Sequence, residues 1–409
     1  MHPAALIDAA GELLRAVLRL EQPADTVVST YFRAHRQLGS RERAALAETT
    51  YAVLRRRLLW QHLAQSGRGP MDRRLVLLGW AGEPRVRDAA ADAAEREWLA
   101  AANHIDVASL PAKLRHNLPD WIAEPLQRRL GDDFAALADS LLQSAPLDLR
   151  VNVLQTKREA VLAELEAQGI AAQPTPYSPW GIRLVGKPAL NQWPLFKSGA
   201  IEVQDEGSQL LALLLDAKRG EMVTDFCAGA GGKTLALGAA MRSTGRLYAF
   251  DVSGHRLEAL RPRLARSGLS NVYPVQIAHE RDERVKRLAG KMDRVLVDAP
   301  CSGLGTLRRN PDMKWRQSPA AVSELVTLQR NILASAARMV KSGGRLVYAT
   351  CSLLEAENEA VADAFEAPGF QRLDAATLVD PALVENGNLR LWPHRHQTDG
   401  FFAAVWTKA

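Results

Sequence analysis

Cysteine is scarce in this chain of 409 residues: Cys227, Cys301 and Cys351 are the only three. Three is too few, and an odd number, for a disulfide framework, so the thiols belong in a reducing compartment as buried or reactive groups. Aromatic residues make up only 6%. Long apolar runs are missing too: no window of about 18 apolar residues occurs, which excludes a spanning helix. The start, Met1-His2-Pro3-Ala4-Ala5, lacks the basic stretch and apolar run of a signal peptide. A cytoplasmic protein is expected. With 47% hydrophobic and 24% charged residues the composition is that of an ordinary globular chain, neither collagenous nor disordered. Its length allows two or three domains, each with its own core.

Net charge is also small, +6, but unevenly placed. Residues 1–149 hold 19 basic and 19 acidic side chains, 18 of the basic ones Arg. Residues 242–316 hold 16 Lys and Arg against 8 Asp and Glu, among them Arg256, Arg261, Arg263, Arg266, Arg284, Lys286, Arg308, Arg309 and Lys314. Such a local excess suits a polyanion, because each phosphate neutralised releases counterions. A solvated helix face would look the same.

Helical spacing dominates the first 142 residues, as in Leu6-Ile7, Leu13-Leu14 and Leu46-Ala47-Thr50-Tyr51-Leu54. Ser40 is the expected start of one helix, although Arg43 stands where a capping box needs an acid. At Pro146 the pattern changes to alternation, Leu147-Asp148-Leu149-Arg150-Val151-Asn152-Val153, and a helical stretch follows from Lys157 to Gln168. From about Glu206, apolar runs at 222–226, 247–250, 294–297 and 345–349 alternate with helical stretches, the pattern of buried parallel strands and crossover helices. The expected organisation is a helical domain (1–142), a small α+β unit (143–205) and a doubly wound α/β domain (206–409). Ligands of such sheets bind at the carboxyl ends of the strands.

Three such ends carry unusual residues. The first strand runs into Asp225-Phe226-Cys227-Ala228-Gly229-Ala230-Gly231-Gly232-Lys233-Thr234. Glycines there allow a tight turn and close approach of a ligand to a helix amino end. A phosphate-binding P-loop would need Gly at Cys227, and a dinucleotide fingerprint would need Gly at Thr234, so both fail. What remains is a glycine turn with an acid, Asp251, at the end of the next strand, suited to the ribose of an adenosyl ligand. The second end is Asp298-Ala299-Pro300-Cys301-Ser302-Gly303, followed by Arg308, Arg309, Lys314 and Trp315. The third is Ala349-Thr350-Cys351-Ser352, followed by Glu355, Glu357 and Glu359. Two cysteines thus fall at strand ends beside one ligand site. Either alone would read as an inert buried thiol.

These motifs resemble those of the Fmu/Sun (Nol/Nop/Sun) family of RNA cytosine-C5 methyltransferases, from about Leu149 to the closing Thr398-Asp399-Gly400-Phe401-Phe402. Gln37 to Arg43 and Tyr51 to Arg57 are similar to the NusB-like helical RNA-binding domain of the bacterial 16S rRNA members. The resemblance implies a class I methyltransferase-like sheet preceded by an RRM-like α+β unit. It implies S-adenosylmethionine as cofactor, held by Cys227, Ala228, Gly229, Ala230, Gly231, Gly232, Lys233, Asp251 and Asp298, with no metal assigned. It implies Cys351 as the nucleophile on cytosine C6, Cys301 as the thiol that helps release the product, and Asp298 on the base's N3/N4 edge. Cytosine C5 needs such covalent activation before it can take a methyl group. RNA, first of all rRNA, is the implied partner, and neither a membrane nor an obligate protein partner is indicated. Arg308, Arg309, Lys314 and Trp315 are placed to hold RNA backbone and stack bases, with core packing the alternative for Trp315. Two departures stand out: Gly229-Ala230 replaces the family's Ala-Pro, and either His279 or Glu280 takes the place of an acid near the adenine. DNA cytosine methylation, with Cys301 as nucleophile, and an inactive RNA-binding assembly factor are the competing readings.

Overall fold

The computed structural model describes residues 1–186 and 188–409. The chain divides into two units, one of residues 1–144 and 306–319, the other of 145–305 and 320–409.

The first unit is helical. Helix Pro3–Leu18 buries Leu6, Ile7, Ala10, Leu13, Leu14 and Val17, the stripe its spacing predicts, against Leu46, Val53 and Leu54 of helix Ser40–Arg55 and Leu75 to Leu77 of helix Met71–Gly79. Helix Ser40–Arg55 begins at the expected Ser40, but Ser40 is its first residue and not its cap. Gly39 is its N-cap, and the Gly39 N–H donates to Glu42 Oε2 at 2.8 Å, so Glu42, not residue 43, is the acid of the first turn.

Residues 306–319, expected to lie with the sheet and to face RNA, fold into the helical unit instead. Asp312 Oδ2 accepts from the Ala24 N–H at the start of helix Ala24–Ala34. Lys314 is buried, its Nζ donating to Arg55 O at 2.9 Å and Asn117 O at 2.7 Å. Trp315 Nε1 donates to Leu54 O at 2.8 Å with its ring packed on the helical core, and Arg55 donates to Arg308 O at 3.1 Å. Core packing therefore accounts for Trp315, and Lys314 has no face left for a phosphate.

The second unit holds two sheets. The small one consists of β1 (Leu147–Val151), β2 (Ala172–Pro174), β3 (Gly181–Leu184) and β4 (Ile201–Val203) in the order β2-β3-β1-β4, its adjacent strands antiparallel. Helix Arg158–Ala167 links β1 to β2 and the single turn Pro194–Lys197 precedes β4, giving a βαββαβ order. Leu149, Val151 and Ile182 face that helix's Val161 and Leu165. On the opposite face Asp148, Arg150, Arg183 and Glu202 are buried, and Arg183 donates two bonds to Asp148, at 2.7 and 2.9 Å. Burying such charges is tolerable because Asp148 and Glu202 are paired with arginines and Arg150 donates to Gln204 Oε1 and Gly232 O.

The large sheet contains β5 (Met222–Asp225), β6 (Arg246–Asp251), β7 (Val272–Gln276), β8 (Met292–Asp298), β9 (Val340–Thr350), β10 (Phe370–Leu373), β11 (Val384–Glu385), β12 (Asn388–Leu391) and β13 (Phe401–Lys408). Their order is β11-β12-β13-β9-β8-β5-β6-β7, with β10 beside β13. Strands β5 to β9 are parallel and β13 runs antiparallel to β9. Separate apolar layers cover the two faces, one built on Leu210, Leu214, Leu235 and Leu260, the other on Ile332, Leu333 and Val361. The strand order reverses between β5 and β8, so the ends of β5, β6, β8 and β9 open on one crevice. Among the described residues no helix is long and apolar enough to cross a membrane.

Candidate active site

The three strand-end motifs and Asp251 meet at this crevice. Beyond β5 the chain turns through Gly229 and Gly231, at φ +56° and +83°, in the left-handed region where glycine is at no steric disadvantage. A Cβ on Gly231 would come within 2.1 Å of Leu260, whereas one on Gly229 would meet nothing. The turn is thus fixed on its inner side and open on its outer side. Gly229 N–H donates to Asp251 Oδ2 at 2.8 Å, and Ser253 N–H to Asp251 Oδ1 at 2.7 Å. The Asp251 carboxylate is held in place by two backbone N–H groups, one on each oxygen. Exposed Val252 follows it, an apolar surface that the motif reading passed over.

Under the turn lies Asp225, fully buried, with Oδ2 accepting from Thr234 Oγ1 at 2.7 Å and Oδ1 without a hydrogen-bond partner among the described residues. Burial pushes its carboxyl up to about 7. Burial likewise raises the Cys227 thiol, with Asp225, Asp298 and Asp251 adding to it. An open glycine cradle, a held acid, an exposed valine and an unpartnered buried carboxyl oxygen together fit an adenosyl amino acid. Of the two residues left open beyond β7, His279 Nδ1 accepts from the Arg281 N–H and Glu280 lies 3.5 Å from Arg281.

At the end of β8, Asp298 Oδ2 accepts from Lys233 Nζ at 2.7 Å. Burial alone would pull the Lys233 ammonium down, but Asp298, with Cys351 and Asp225 behind it, more than offsets this and holds it above its ordinary range. Lys233 also lies over the Phe401 ring, 5.7 Å from its centre. Beside this pair the two thiols face each other, Cys301 Sγ 3.4 Å from Cys351 Sγ. Its contact with Cys351 and its burial push the Cys301 thiol well above its ordinary value. The site therefore brings together Cys301, Cys351, Asp298, Lys233, the glycine turn and Asp251, and leaves out Lys314 and Trp315.

Residues 212–407 match the family model described as 16S rRNA methyltransferase RsmB/F, and residues 118–191 match the ferredoxin-like domain of RsmF/B-like methyltransferases. "Probable ribosomal RNA small subunit methyltransferase B" of Synechocystis sp. is 37% identical over 314 residues, 75% of this chain and 70% of that protein. Ribosomal RNA small subunit methyltransferase B of Serratia proteamaculans is 35% identical over 297 residues, 72% of this chain and 67% of its own. The chain belongs to the RsmB/F family of rRNA methyltransferases. RsmB/F enzymes use S-adenosylmethionine as cofactor. Among solved structures, that of PH0851 covers 100% of this chain at a TM-score of 0.82 and 27% identity, and a methyltransferase homolog from Pyrococcus horikoshii covers 75% at 0.65 and 29%. The RsmB/F ferredoxin-like match begins at residue 118, inside the stretch that sequence patterning assigns to the helical domain.

Proposed function

We propose that this RsmB/F enzyme methylates C5 of a cytosine in 16S rRNA through a covalent adduct between Cys351 and C6. The observation that carries the reading is the pair of thiols 3.4 Å apart at the ends of adjacent strands, with the Lys233–Asp298 pair at their side. Bound in the cradle of Cys227, Ala228, Gly229, Ala230, Gly231, Gly232 and Lys233, with Asp251 and Asp298, S-adenosylmethionine supplies the methyl group.

Attack of the Cys351 thiolate forms the S–C6 bond and makes C5 nucleophilic, replacing one difficult step by easier ones. Asp298 holds the N3/N4 edge of the base, and Lys233 fixes the carboxylate that does so. After methylation a water molecule takes the C5 proton, the C5=C6 double bond re-forms, and the S–C6 bond breaks with its electron pair returning to the Cys351 sulfur. Cys301, kept in its thiol form by its neighbour and by burial, stands next to the sulfur that must leave. The base itself must be delivered from a loop or flipped out of its stack.

The test is substitution with tritiated-methyl transfer to unmodified 16S rRNA. Cys351→Ala is expected to abolish transfer, and Cys301→Ala to accumulate an RNA–protein complex that survives SDS. Loss of the adduct in Cys301→Ala, with retention in Cys351→Ala, would reverse the two roles. Bisulfite sequencing of RNA from a deletion strain identifies the cytosine, and an unchanged 16S pattern would reject this substrate.

A further inference from the structure

Each thiol is followed in sequence by a serine, and both serines end on one buried carboxylate. Ser302 Oγ and Ser352 Oγ each donate to Glu357 Oε2 at 2.5 Å. Glu357 Oε1 accepts from the Ser302 N–H at 2.8 Å and from Gln329 Nε2 at 3.1 Å. Gln329 Nε2 also donates to Pro300 O at 3.0 Å, so the residues on both sides of Cys301 are held by one cluster. On the other loop, Asn358 Nδ2 donates to Ser352 O at 3.0 Å, and the Tyr348 hydroxyl donates to Glu357 O at 2.6 Å. Ser302, Ser352, Gln329, Glu357 and Asn358 are all 0% exposed, so none of them reaches substrate.

A carboxylate sunk in a protein is costly unless its bonds are complete, and an apolar residue of similar volume would often be at least as stable there. Stability alone does not explain Glu357. Its bonds go to the two short loops whose relative position sets the distance between the thiols.

We propose that Glu357 is a positioning residue that fixes the separation of Cys301 and Cys351 by clamping the serine after each. The clamp rests on the reading of the two cysteines as an acting pair. It leaves each cysteine side chain free to turn while its backbone stays put, which suits one sulfur that must bond to C6 and another that must be close when it leaves.

The experiment compares Glu357→Ala, Glu357→Gln and the double variant Ser302→Ala/Ser352→Ala in the full chain. The double variant removes the hydroxyl tethers with little change in volume, and decides the matter if Glu357→Ala does not fold. Two rates are read: formation of the Cys301–Cys351 disulfide with diamide in the absence of RNA, by mass spectrometry, and adduct formation on 16S rRNA in the Cys301→Ala background. Misplacing reacting groups by about 1 Å can cost roughly 100-fold. Glu357→Ala and the double serine variant should therefore slow both rates by about 10- to 100-fold, with unchanged affinity for S-adenosylmethionine. Glu357→Gln should recover most of both, since its Oε1 can accept the two N–H bonds while its Nε2 donates to the serine oxygens. Wild-type disulfide and adduct rates in a folded Glu357→Ala or double serine variant would overturn the proposal. A disulfide rate that responds as expected, with no RNA adduct in the Cys301→Ala parent, would keep the clamp and reject Cys351 as nucleophile.

Discussion

Lys233 shows what a single residue's place in the site can hide. Sequence places it in the glycine turn, yet its charge is spent on Asp298 at the end of another strand, and this pair joins the glycine turn to the end of β8. Replacing one partner strands the other. Lys233→Met and Asp298→Asn should each lower methyl transfer by about 100-fold, the scale of a misplaced reacting group. The double variant should be less stable than wild type by less than the sum of the singles, with a coupling of ~0.5–3 kcal/mol in urea denaturation. Strict additivity would mean that the two groups act independently. Both residues were legible because they sit in motifs. The serines after each cysteine were visible too, but Glu357 was not, because its partners lie 55 residues upstream on one loop and only 5 upstream on the other.

At the level of elements, periodicity located the parallel strands and their crossover helices well, since burial on both faces leaves a continuous apolar signature. It did not show that the polar face of β1 is buried, and it misplaced the segment 306–319, whose basic composition pointed outward. Lys314 is the sharpest case. Burial pulls its amine down from 10.5 to about 7, with Arg55 and Arg56 adding to the effect. Its two carbonyl acceptors match the two N–H bonds of a neutral amine. Between about pH 7 and 10.5 the unfolded chain therefore binds a proton that the folded chain lacks, so stability rises with pH across that window. Hydrogen exchange of helix Ser40–Arg55 and residues 306–319 should slow, relative to the intrinsic rate, on going from pH 7 to pH 9. Lys314→Met should flatten this dependence, and an unchanged slope in that variant would assign it to another group.

For the molecule as a whole, the basic excess of residues 242–316 is smaller than the count implies. Glu202 accepts from both Arg263 and Arg266, Glu221 pairs with Arg294, and Lys314 is interior. Arg256 and Arg261 remain exposed on helix Gly254–Ser267. Binding to single-stranded RNA loses about 0.7 in the slope of log K against log salt for each phosphate contact removed. Arg256→Gln/Arg261→Gln should thus reduce the salt slope of rRNA binding by up to about 1.4 with little change in thermal stability. Arg263→Gln/Arg266→Gln should do the opposite, lowering the melting temperature because it leaves Glu202 buried without a partner. Equal slopes for the two double variants would place the RNA elsewhere.

The excursion of residues 306–319 also sets a schedule. Residues 1–144 emerge from the ribosome before the second unit but lack Asp312, Lys314 and Trp315 until more than half of that unit has been made. At about 5–20 residues per second, the helical unit waits on the order of ten seconds or more in an unfinished state. No single cut separates the two units with both intact, so a gene that kept only one of them would have to rebuild the other's missing piece.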